Sequence, residues 1–331
     1  MATAVRDSPR LSDIHDETLE DRVIRLIAQE TRELARRKAE FVSSPCPACR
    51  SASATPAYLI NGLDHMKCHR CGTIFVSPCP TERHILDFLS RSQGLRIWRE
   101  EMPDEVKTSR RDMYRRRLRD TLDAARRYGV RPRIVVEIGG GNGEFAEEAS
   151  RSGEIEKLIV VEPQPLALDL PGVEVIAGDF ETLDPAASAD IVVAFEVFEH
   201  LVDPDRFLAM ARRCLAPGGI LLMTTPNGQS LEVERLGEKS NVLPFDHVRI
   251  YNPGSMRTVL NRAGFGVEQV ETPGKLDVQI LRRWQISGGF DPDPPLRFIL
   301  EDERLSARFQ DYLRANCLSS HMRILARRPR P

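Results

Sequence analysis

Four cysteines stand in two closely spaced pairs near the start of the chain. Cys46 and Cys49 form the first pair and Cys68 and Cys71 the second, with eighteen residues between the pairs. Each pair offers two sulfurs from one tight turn, and Gly72 suits the positive φ that such a turn requires. Two Cys-x-x-Cys turns at this separation predict a tetrahedral Zn²⁺ site. Because four thiolates leave no open position, this zinc is expected to be structural and not catalytic.

A carboxylate and a series of glycines follow one another at the end of a short apolar run. The run 134–138 contains the acid, and a helical pattern begins at Phe145. The acid and the glycines are Glu137, Gly139, Gly141 and Gly143. Glycines permit positive φ and a close approach of the backbone to a ligand, and the free N–H groups of a helix start face that ligand. A glycine-rich turn without a ligand is the alternative.

The order of these residues indicates the kind of ligand. Glu-x-Gly-x-Gly-x-Gly departs from the G-x-G-x-x-G pattern of dinucleotide sites. A carboxylate on the strand before the turn would repel a pyrophosphate, and it suits a cationic amino-acid head group.

Short apolar runs alternate with helical patterns through the rest of the chain. The predicted strands are 133–138, 158–161, 173–176, 190–195 and 220–224, and a last strand is expected within 319–326. This alternation predicts an α/β fold with a doubly wound parallel sheet. Ligands of such sheets bind at the carboxyl ends of the strands, so residues at those ends become the candidates.

The glycine turn and later stretches together resemble the class I S-adenosylmethionine (SAM)-dependent methyltransferases. The later stretches are Val160–Pro163, Gly178–Phe180 and Ala216–Ile220, and the resemblance covers about residues 130–272. It implies a seven-stranded Rossmann-like sheet, a transferase activity and SAM as cofactor. It also implies that Glu162 binds the ribose hydroxyls, that Asp179 takes the adenine amine and that Phe180 covers the ring. The cofactor-binding residues are then Glu137, Gly139, Gly141, Gly143, Glu162, Asp179, Phe180 and Phe195.

Two acids and a histidine follow the fourth predicted strand, namely Glu196, Glu199 and His200. Methyl transfer from a sulfonium requires alignment of donor and acceptor, and removal of a proton from the acceptor. If the chain is helical here, the three side chains share one face. His200 then serves as general base and Glu199 orients it. A packing histidine is the plainer alternative.

The same pattern with a later histidine also resembles the divalent-metal site of small-RNA terminal 2′-O-methyltransferases and of some quinone-pathway O-methyltransferases. This resemblance implies that Glu196, Glu199, His200 and His247 hold Mg²⁺ or Mn²⁺. The ion would chelate two neighbouring substrate hydroxyls and lower the pKa of one. Glu-His after this strand also occurs in relatives without a metal, so both possibilities stay open.

The arrangement of zinc knuckle, helical linker and methyltransferase domain resembles bacterial enzymes that methylate nucleotide sugars and glycans. We therefore expect O-methylation of a sugar or another polyhydroxylated small molecule. C-methylation of a nucleotide sugar is an alternative, although those enzymes carry a second C-terminal α/β domain that this sequence does not show. RNA 2′-O-methylation is another, and the arginine-rich segment 110–119 would then meet a phosphate backbone; a solvated helix face is the plainer interpretation of that segment. A scaffold that binds SAM without catalysis is the non-enzymatic alternative.

Composition limits the remaining possibilities. The chain has 331 residues, 41% of them hydrophobic, and a formal net charge of −2. Such a charge gives no global attraction to nucleic acid or to anionic membranes. No apolar run reaches the roughly 18–20 residues that span a bilayer. Residues 1–10 lack the apolar core of a signal peptide, and the paired cysteines favour a reducing compartment, so a cytoplasmic protein is expected.

Four segments are predicted along the chain: a tail with an amphipathic helix (1–43), a zinc ribbon (44–80), a helical linker or cap (81–130) and the methyltransferase domain (131–331). Residues 1–15 are expected to be disordered. The amphipathic helix within 16–42 should pack on its own chain or on a homodimer partner. A helical insertion at about 275–315 is expected to roof the acceptor pocket.

Overall fold

A computed structural model describes residues 19–164, 166–183, 188–244 and 246–330. The predicted disordered tail 1–15 lies outside these residues. The strands are β1 (Ala54–Ile60), β2 (Leu63–Cys68), β3 (Ile74–Val76), β4 (Ile134–Ile138), β5 (Lys157–Glu162), β6 (Val173–Ala177), β7 (Ala189–Phe195), β8 (Leu215–Pro226), β9 (Arg249–Ile250), β10 (Gly266–Glu271) and β11 (His321–Arg327).

The helices are α1 (Leu19–Ala35), α2 (Glu82–Arg91), α3 (Gln93–Glu101), α4 (Asp104–Tyr128), α5 (Glu144–Ser152), α6 (Pro204–Cys214), α7 (Leu231–Leu236), α8 (Pro253–Arg262), α9 (Asp277–Ile286), α10 (Pro294–Glu301) and α11 (Glu303–Ala315). None of the helices in the part of the chain that the structure describes has the length and apolar composition that crossing a bilayer requires.

The larger sheet has seven strands in the order β10-β11-β8-β7-β4-β5-β6. β4 pairs in parallel with both β5 and β7, whereas β11 runs antiparallel to β8 and β10. The predicted doubly wound, seven-stranded sheet is therefore confirmed, but it is mixed and not wholly parallel, because β11 is antiparallel to its neighbours. The chain builds outward from β4 in one direction and from β7 in the other, so a crevice opens at the carboxyl ends of these two strands.

Both faces of this sheet are covered at its centre, which explains why β4, β5 and β7 are nearly continuous apolar runs. In β7, Val192 and Ala194 belong to the core on one face, where α6 and α8 pack. Their neighbours Ile191 and Val193 point to the opposite core, which contains side chains of α4 and α5. Successive residues of a strand point to opposite faces, so a strand between two helical layers must be apolar at nearly every position.

The ribbon is a separate four-stranded sheet in the order β1-β2-β3-β9. β1 and β2 form a hairpin whose two turn residues, Asn61 and Gly62, both have positive φ, at 49° and 87°. Asn-Gly is the preferred pair for such a turn. The fourth strand, β9, begins 173 residues after the end of β3 and pairs antiparallel with it.

Helices α1 to α3 form one packed group beside the ribbon. α1 lies against α3, and a Cβ on Gly94 would come within 2.5 Å of the side chain of Ile27. The predicted amphipathic helix thus packs on its own chain. Helices α9 to α11 have their own apolar core, which they share with Leu236 of α7.

Candidate active site

A cavity of about 460 Å³ opens at the carboxyl ends of β4, β5 and β7. One wall comes from the sheet and includes Gly139, Gly141, Glu162, Phe195 and Glu196. The opposite wall comes from α2, α3 and α4. Helices α9 to α11, which the structure describes in full, contribute no residue to the lining, so the expectation that the insertion at 275–315 roofs the site is wrong.

The glycine turn has the conformation that its composition predicts. Gly139, Gly141 and Gly143 have φ of 80°, 55° and 86°, in the left-handed region that side chains disfavour. A Cβ on Gly139 would stand 2.4 Å from the side chain of Val197. The turn therefore requires glycine at 139 for space as well as for conformation, and it ends where α5 begins.

The acids after β5 and β6 lie at the same edge. Both carboxylate oxygens of Glu162 accept backbone N–H groups, from Gly141 at 2.8 Å and from Gln164 at 2.8 Å. Asp179 accepts the N–H of Glu181 at 2.8 Å and so begins a short 3-10 turn. Phe180, the next residue, is buried and its ring meets that of Phe207 edge to face. All three predicted residues line the cavity.

Beside the glycine turn lie a buried carboxyl group and a buried guanidinium group. Each of them has one side-chain atom without a hydrogen-bond partner among the described residues. Nη2 of Arg117 donates to Glu196 at 2.7 Å, and the guanidinium lies 4.8 Å from the ring centre of Tyr114 and 4.9 Å from that of Phe195. In the described part of the chain, Nη1 of Arg117 has no acceptor and Oε2 of Glu137 has no donor. Burial raises the pKa of Glu137 to about 8, although the positive charge of Arg117 opposes the shift.

The segment after β7 is not the helix that would place three side chains on one face. Glu196 has a φ of 55°, and the turn that follows is a single 3-10 turn over Phe198–His200. The left-handed residue directs Glu196 toward Arg117 and toward Thr224, whose hydroxyl donates to it at 2.6 Å. Nδ1 of His321 lies 3.6 Å from the same carboxylate oxygen. Glu196 is therefore held apart from the other predicted metal ligands.

Glu199, His200 and His247 do come together, with ligand atoms that all lie within 4.8 Å of one another. Nδ1 of His200 lies 3.0 Å from the carbonyl of Asp246, and Nδ1 of His247 lies 3.0 Å from the carbonyl of Val242. A carbonyl oxygen only accepts, so each Nδ1 carries the hydrogen and each Nε2 presents a lone pair.

Both lone pairs face one unsatisfied oxygen. Oε1 of Glu199 lies 4.0 Å from Nε2 of His200 and 3.9 Å from Nε2 of His247, and it has no partner among the described residues. The other oxygen accepts the hydroxyl of Thr225 at 2.9 Å. Three acceptor atoms thus converge with nothing to donate between them. A proton or a metal cation is the species that such a donor set fits.

Burial and neighbouring charges together set the ionisation of these groups. It raises the pKa of Glu199 to about 8, and the nearby charge of Glu196 adds to the shift. Burial lowers the pKa of His247 to about 4, and His200 lowers it further. For His200 burial alone would also lower the pKa, but the negative charges of Asp246, Glu199 and Glu196 outweigh it and raise the pKa.

The four paired cysteines form a second cluster, in the ribbon. Their sulfurs lie within 4.8 Å of one another, with Cys46 to Cys71 and Cys49 to Cys68 each at 3.5 Å. A zinc ion with Zn–S bonds of about 2.3 Å in a tetrahedron separates its sulfurs by roughly 3.8 Å. The cluster therefore fits a zinc ion.

Three residues of the active site were not predicted from the sequence. Asp246 lines the cavity and holds Nδ1 of His200, a part that the sequence had assigned to Glu199. Arg117 and Tyr114 lie in the arginine-rich segment. The prediction that this segment is a solvated helix face is wrong for Arg117, because its side chain is only 5% exposed. Arg117 ends a run of three arginines, 115–117, so residue type alone does not distinguish the buried one from the others.

Part of the chain is similar in sequence to known methyltransferases. The family described as "Methyltransferase domain" matches residues 109–270. A probable SAM-dependent methyltransferase of Mycolicibacterium smegmatis is 38% identical over 99 residues, which cover 30% of this chain and 37% of that protein. A probable SAM-dependent methyltransferase of Mycobacterium tuberculosis is 38% identical over 139 residues, which cover 40% of this chain and 48% of that protein.

A ubiquinone biosynthesis O-methyltransferase of Bradyrhizobium diazoefficiens is 33% identical over 102 residues, which cover 28% of this chain and 40% of that protein. The matched stretch spans less than half of the length of each of these relatives. The family match and these relatives therefore assign residues 109–270 of the chain to a SAM-dependent methyltransferase domain.

Proposed function

We propose that the chain transfers the methyl group of SAM to a hydroxyl oxygen of a small molecule. The observation that carries this proposal is the convergence of Glu199, His200 and His247 beside the cavity that contains the glycine turn. The name of one relative supports oxygen as the acceptor atom, because the Bradyrhizobium protein described above is named an O-methyltransferase.

SAM binding requires groups for a zwitterionic head, a ribose and an adenine. Glu137 and Arg117 each keep one buried, unused polar atom beside the glycine turn, and together they complement an ammonium and a carboxylate. We assign the ribose to Glu162 and the adenine to Asp179 and Phe180. The glycine turn, with Gly139, Gly141 and Gly143, lets the backbone approach the methionine part.

In the proposed reaction the acceptor oxygen attacks the methyl carbon of the sulfonium in line with the C–S bond. The C–O bond forms as the C–S bond breaks, and S-adenosylhomocysteine leaves. Nε2 of His200 takes the hydroxyl proton, since its Nδ1 already donates to Asp246. The carboxylate of Asp246, whose Oδ2 lies 3.4 Å from Nδ1, stabilises the imidazolium that results.

A divalent cation such as Mg²⁺ or Mn²⁺ fits the same donor set. Glu199, His200 and His247 would hold it, and it would supply a lower pKa for a coordinated hydroxyl. Glu196, which the sequence resemblance included, is engaged by Arg117 and Thr224 and is not needed in this set.

The residues that line the cavity narrow the range of acceptors that it can bind. Helices α2 to α4 face the sheet edge with Leu86, Leu89, Leu95, Trp98 and Met113. Apolar surface of this kind favours an acceptor whose hydroxyls are backed by an apolar part. A hydroxylated aromatic ring or a sugar on an apolar carrier fits better than a free sugar. We further expect the enzyme to work in the cytoplasm, where its paired thiols stay reduced.

Labelled-SAM turnover on the full chain tests this proposal. The acceptors are catechols, alkyl glycosides, nucleotide sugars and a short RNA with a free 3′ end, each before and after EDTA treatment and with Mg²⁺ or Mn²⁺ added back. We expect methylation of a hydroxylated acceptor with an apolar part and none of RNA. Activity that survives complete removal of divalent ions would eliminate the cation and leave His200 as the base.

Matched variants separate the proposed roles. His200→Gln should lower kcat by about 10²-fold or more, because it removes the base. Asp246→Asn keeps the backbone carbonyl on Nδ1 of His200 and removes only the carboxylate, so a smaller loss of about tenfold is expected. His69→Ala, at an exposed histidine of the ribbon, should behave as wild type. Full activity of His200→Gln would refute the assignment.

A further inference from the structure

One segment belongs to both the zinc ribbon and the reaction centre. We call residues 246–252 the shared loop. Its strand β9 pairs with β3, with Ile250 opposite Ile74 and Arg249 opposite Phe75. Its first two residues, Asp246 and His247, contact His200 and Glu199 as described above. A single residue separates His247 from β9.

The ribbon holds this loop through buried hydrogen bonds. The N–H of Val76 donates to the carbonyl of Val248 at 3.0 Å, and Nη1 of Arg249 donates back to the carbonyl of Val76 at 3.0 Å. Arg249 is only 3% exposed. Leaving a buried guanidinium without a hydrogen-bond partner is energetically unfavourable, so these bonds fix the register of β9 on the ribbon.

The end of the loop is attached directly to a cysteine turn. Nδ2 of Asn252 donates to the carbonyl of Cys71 at 2.7 Å, and its Oδ1 accepts the N–H of Ser255 at the start of α8. Arg262 of the same helix donates to the carbonyl of Pro47 at 3.0 Å and to that of Ala48. Both cysteine turns are therefore bound to the loop or to the helix that follows it.

The opposite side of the loop packs on the methyltransferase domain. The ring centres of Tyr251 and Phe198 lie 5.2 Å apart, and the carbonyl of Tyr251 accepts the N–H of Gly228 at 2.7 Å. Tyr251 is fully buried in a core that also contains Cys46 and Cys68.

We propose that the ribbon is a positioning element of the reaction centre, which holds His247 and Asp246 in place only while its four cysteines are bound together by zinc. Without the ion the two cysteine turns lose their common centre, β3 and Asn252 lose their support, and the shared loop becomes mobile. The edge of β4 and β5 that we assign to SAM shares an apolar core with Cys46 and Cys68 but no described hydrogen bond with the ribbon, so its own backbone hydrogen bonds should persist. The consequence for turnover rests on the proposed function, but the effect on the loop does not.

Hydrogen exchange measured by mass spectrometry tests this inference on the full chain, with no need for the acceptor. Zinc content is first measured, and exchange is compared before and after chelation. We expect exchange within 242–252 to rise by about tenfold or more, while peptides covering 134–145 and 157–162 stay unchanged. S-adenosylhomocysteine should bind the chelated protein with an unchanged Kd in calorimetry.

Asn252 variants make the test specific, in case chelation unfolds more than the ribbon. Asn252→Asp and Asn252→Ser keep an oxygen that caps α8, but Asp has no donor for the carbonyl of Cys71 and Ser has only a hydroxyl on a shorter side chain. Both should retain zinc and still raise exchange within 242–252 severalfold. Lys67→Ala, at an exposed position on β2, should leave that exchange unchanged.

The possible outcomes are distinct. Unchanged exchange in the shared loop after complete loss of zinc, or in both Asn252 variants, would overturn the inference. Loop exchange that rises without any methyl transfer from the wild-type chain would leave the positioning role intact and refute the proposed function alone.

Discussion

The buried carboxyl of Glu137 allows a quantitative prediction of the proton release that accompanies cofactor binding. Burial raises its pKa to about 8, so about nine in ten molecules carry the proton at pH 7. An ammonium group binds the ionised form, and ionisation at pH 7 costs about 1.4 kcal/mol. A charge-assisted hydrogen bond between the carboxylate and the ammonium group offsets this cost by about 1.5–3 kcal/mol. SAM and S-adenosylhomocysteine should therefore bind with release of about 0.9 proton at pH 7.

Calorimetry with S-adenosylhomocysteine in two buffers of different ionisation enthalpy measures this release directly. The wild-type affinity should rise by about tenfold between pH 6 and pH 7, because one proton must leave. Glu137→Gln should release no proton and show a flat affinity over this range, since its amide does not titrate. The two proteins should thus differ little at pH 6, and the wild type should bind more tightly at pH 7.

The same substitution should have the opposite effect on stability. The folded state keeps the proton of Glu137 between its ordinary pKa of 4.5 and about 8, whereas the unfolded chain releases it. The unfolded state then binds fewer protons, so wild-type stability falls as pH rises through this window. Glu137→Gln should gain stability relative to wild type between pH 5 and pH 8 in urea denaturation. Glu154→Gln, an exposed acid, is the control. No proton release together with parallel affinity profiles would refute the reasoning.

Three further predictions concern the ribbon and the cavity. Cys46→Ser should lower the zinc content from one ion per chain to less than half, measured by plasma emission, with a lower Tm. His65 is buried, and burial lowers its pKa to about 4. The free energy of unfolding should therefore fall by up to about 3 kcal/mol between pH 6.5 and pH 4, because the unfolded chain binds a proton at this residue in that range and the folded chain does not. His65→Leu should abolish this pH dependence. Trp98→Ala should raise KM for apolar acceptors at least fivefold with an unchanged Kd for SAM; an equal effect on a polar acceptor would contradict the assigned wall.

The parts of the fold that follow from local pattern were predictable from the sequence. The strands β4, β5 and β7 are apolar runs because both faces of the sheet are covered, and the glycines at 139, 141 and 143 stand where left-handed backbone is needed. The edge strand β10 was not located, since only Val270 among its residues is buried and two of the others are acids. The two-residue β9 has no signal of its own and depends on its partner β3.

Active-site features that depend on tertiary contacts were predicted less well. The positive φ of Glu196 is an unfavourable local choice that Arg117 and Thr224 stabilise from distant segments. Asp246 orients His200 mainly through its backbone carbonyl. Every residue type has a backbone carbonyl, so the identity of this residue carries no signal for the contact. The roof of the cavity was assigned to the wrong helices, because helical periodicity shows that a helix has an apolar face but not what that face covers.

The position of β11 inside the sheet has a consequence for biosynthesis. This strand lies between β8 and β10, although about fifty residues separate it in sequence from the end of β10. A ribosome adds roughly 5–20 residues per second, so the long strand β8 waits several seconds with one unpaired edge. Exposed edges of this kind template intermolecular pairing. Slow translation between residues 271 and 321 should therefore increase aggregation of the newly made protein more than slow translation before β8.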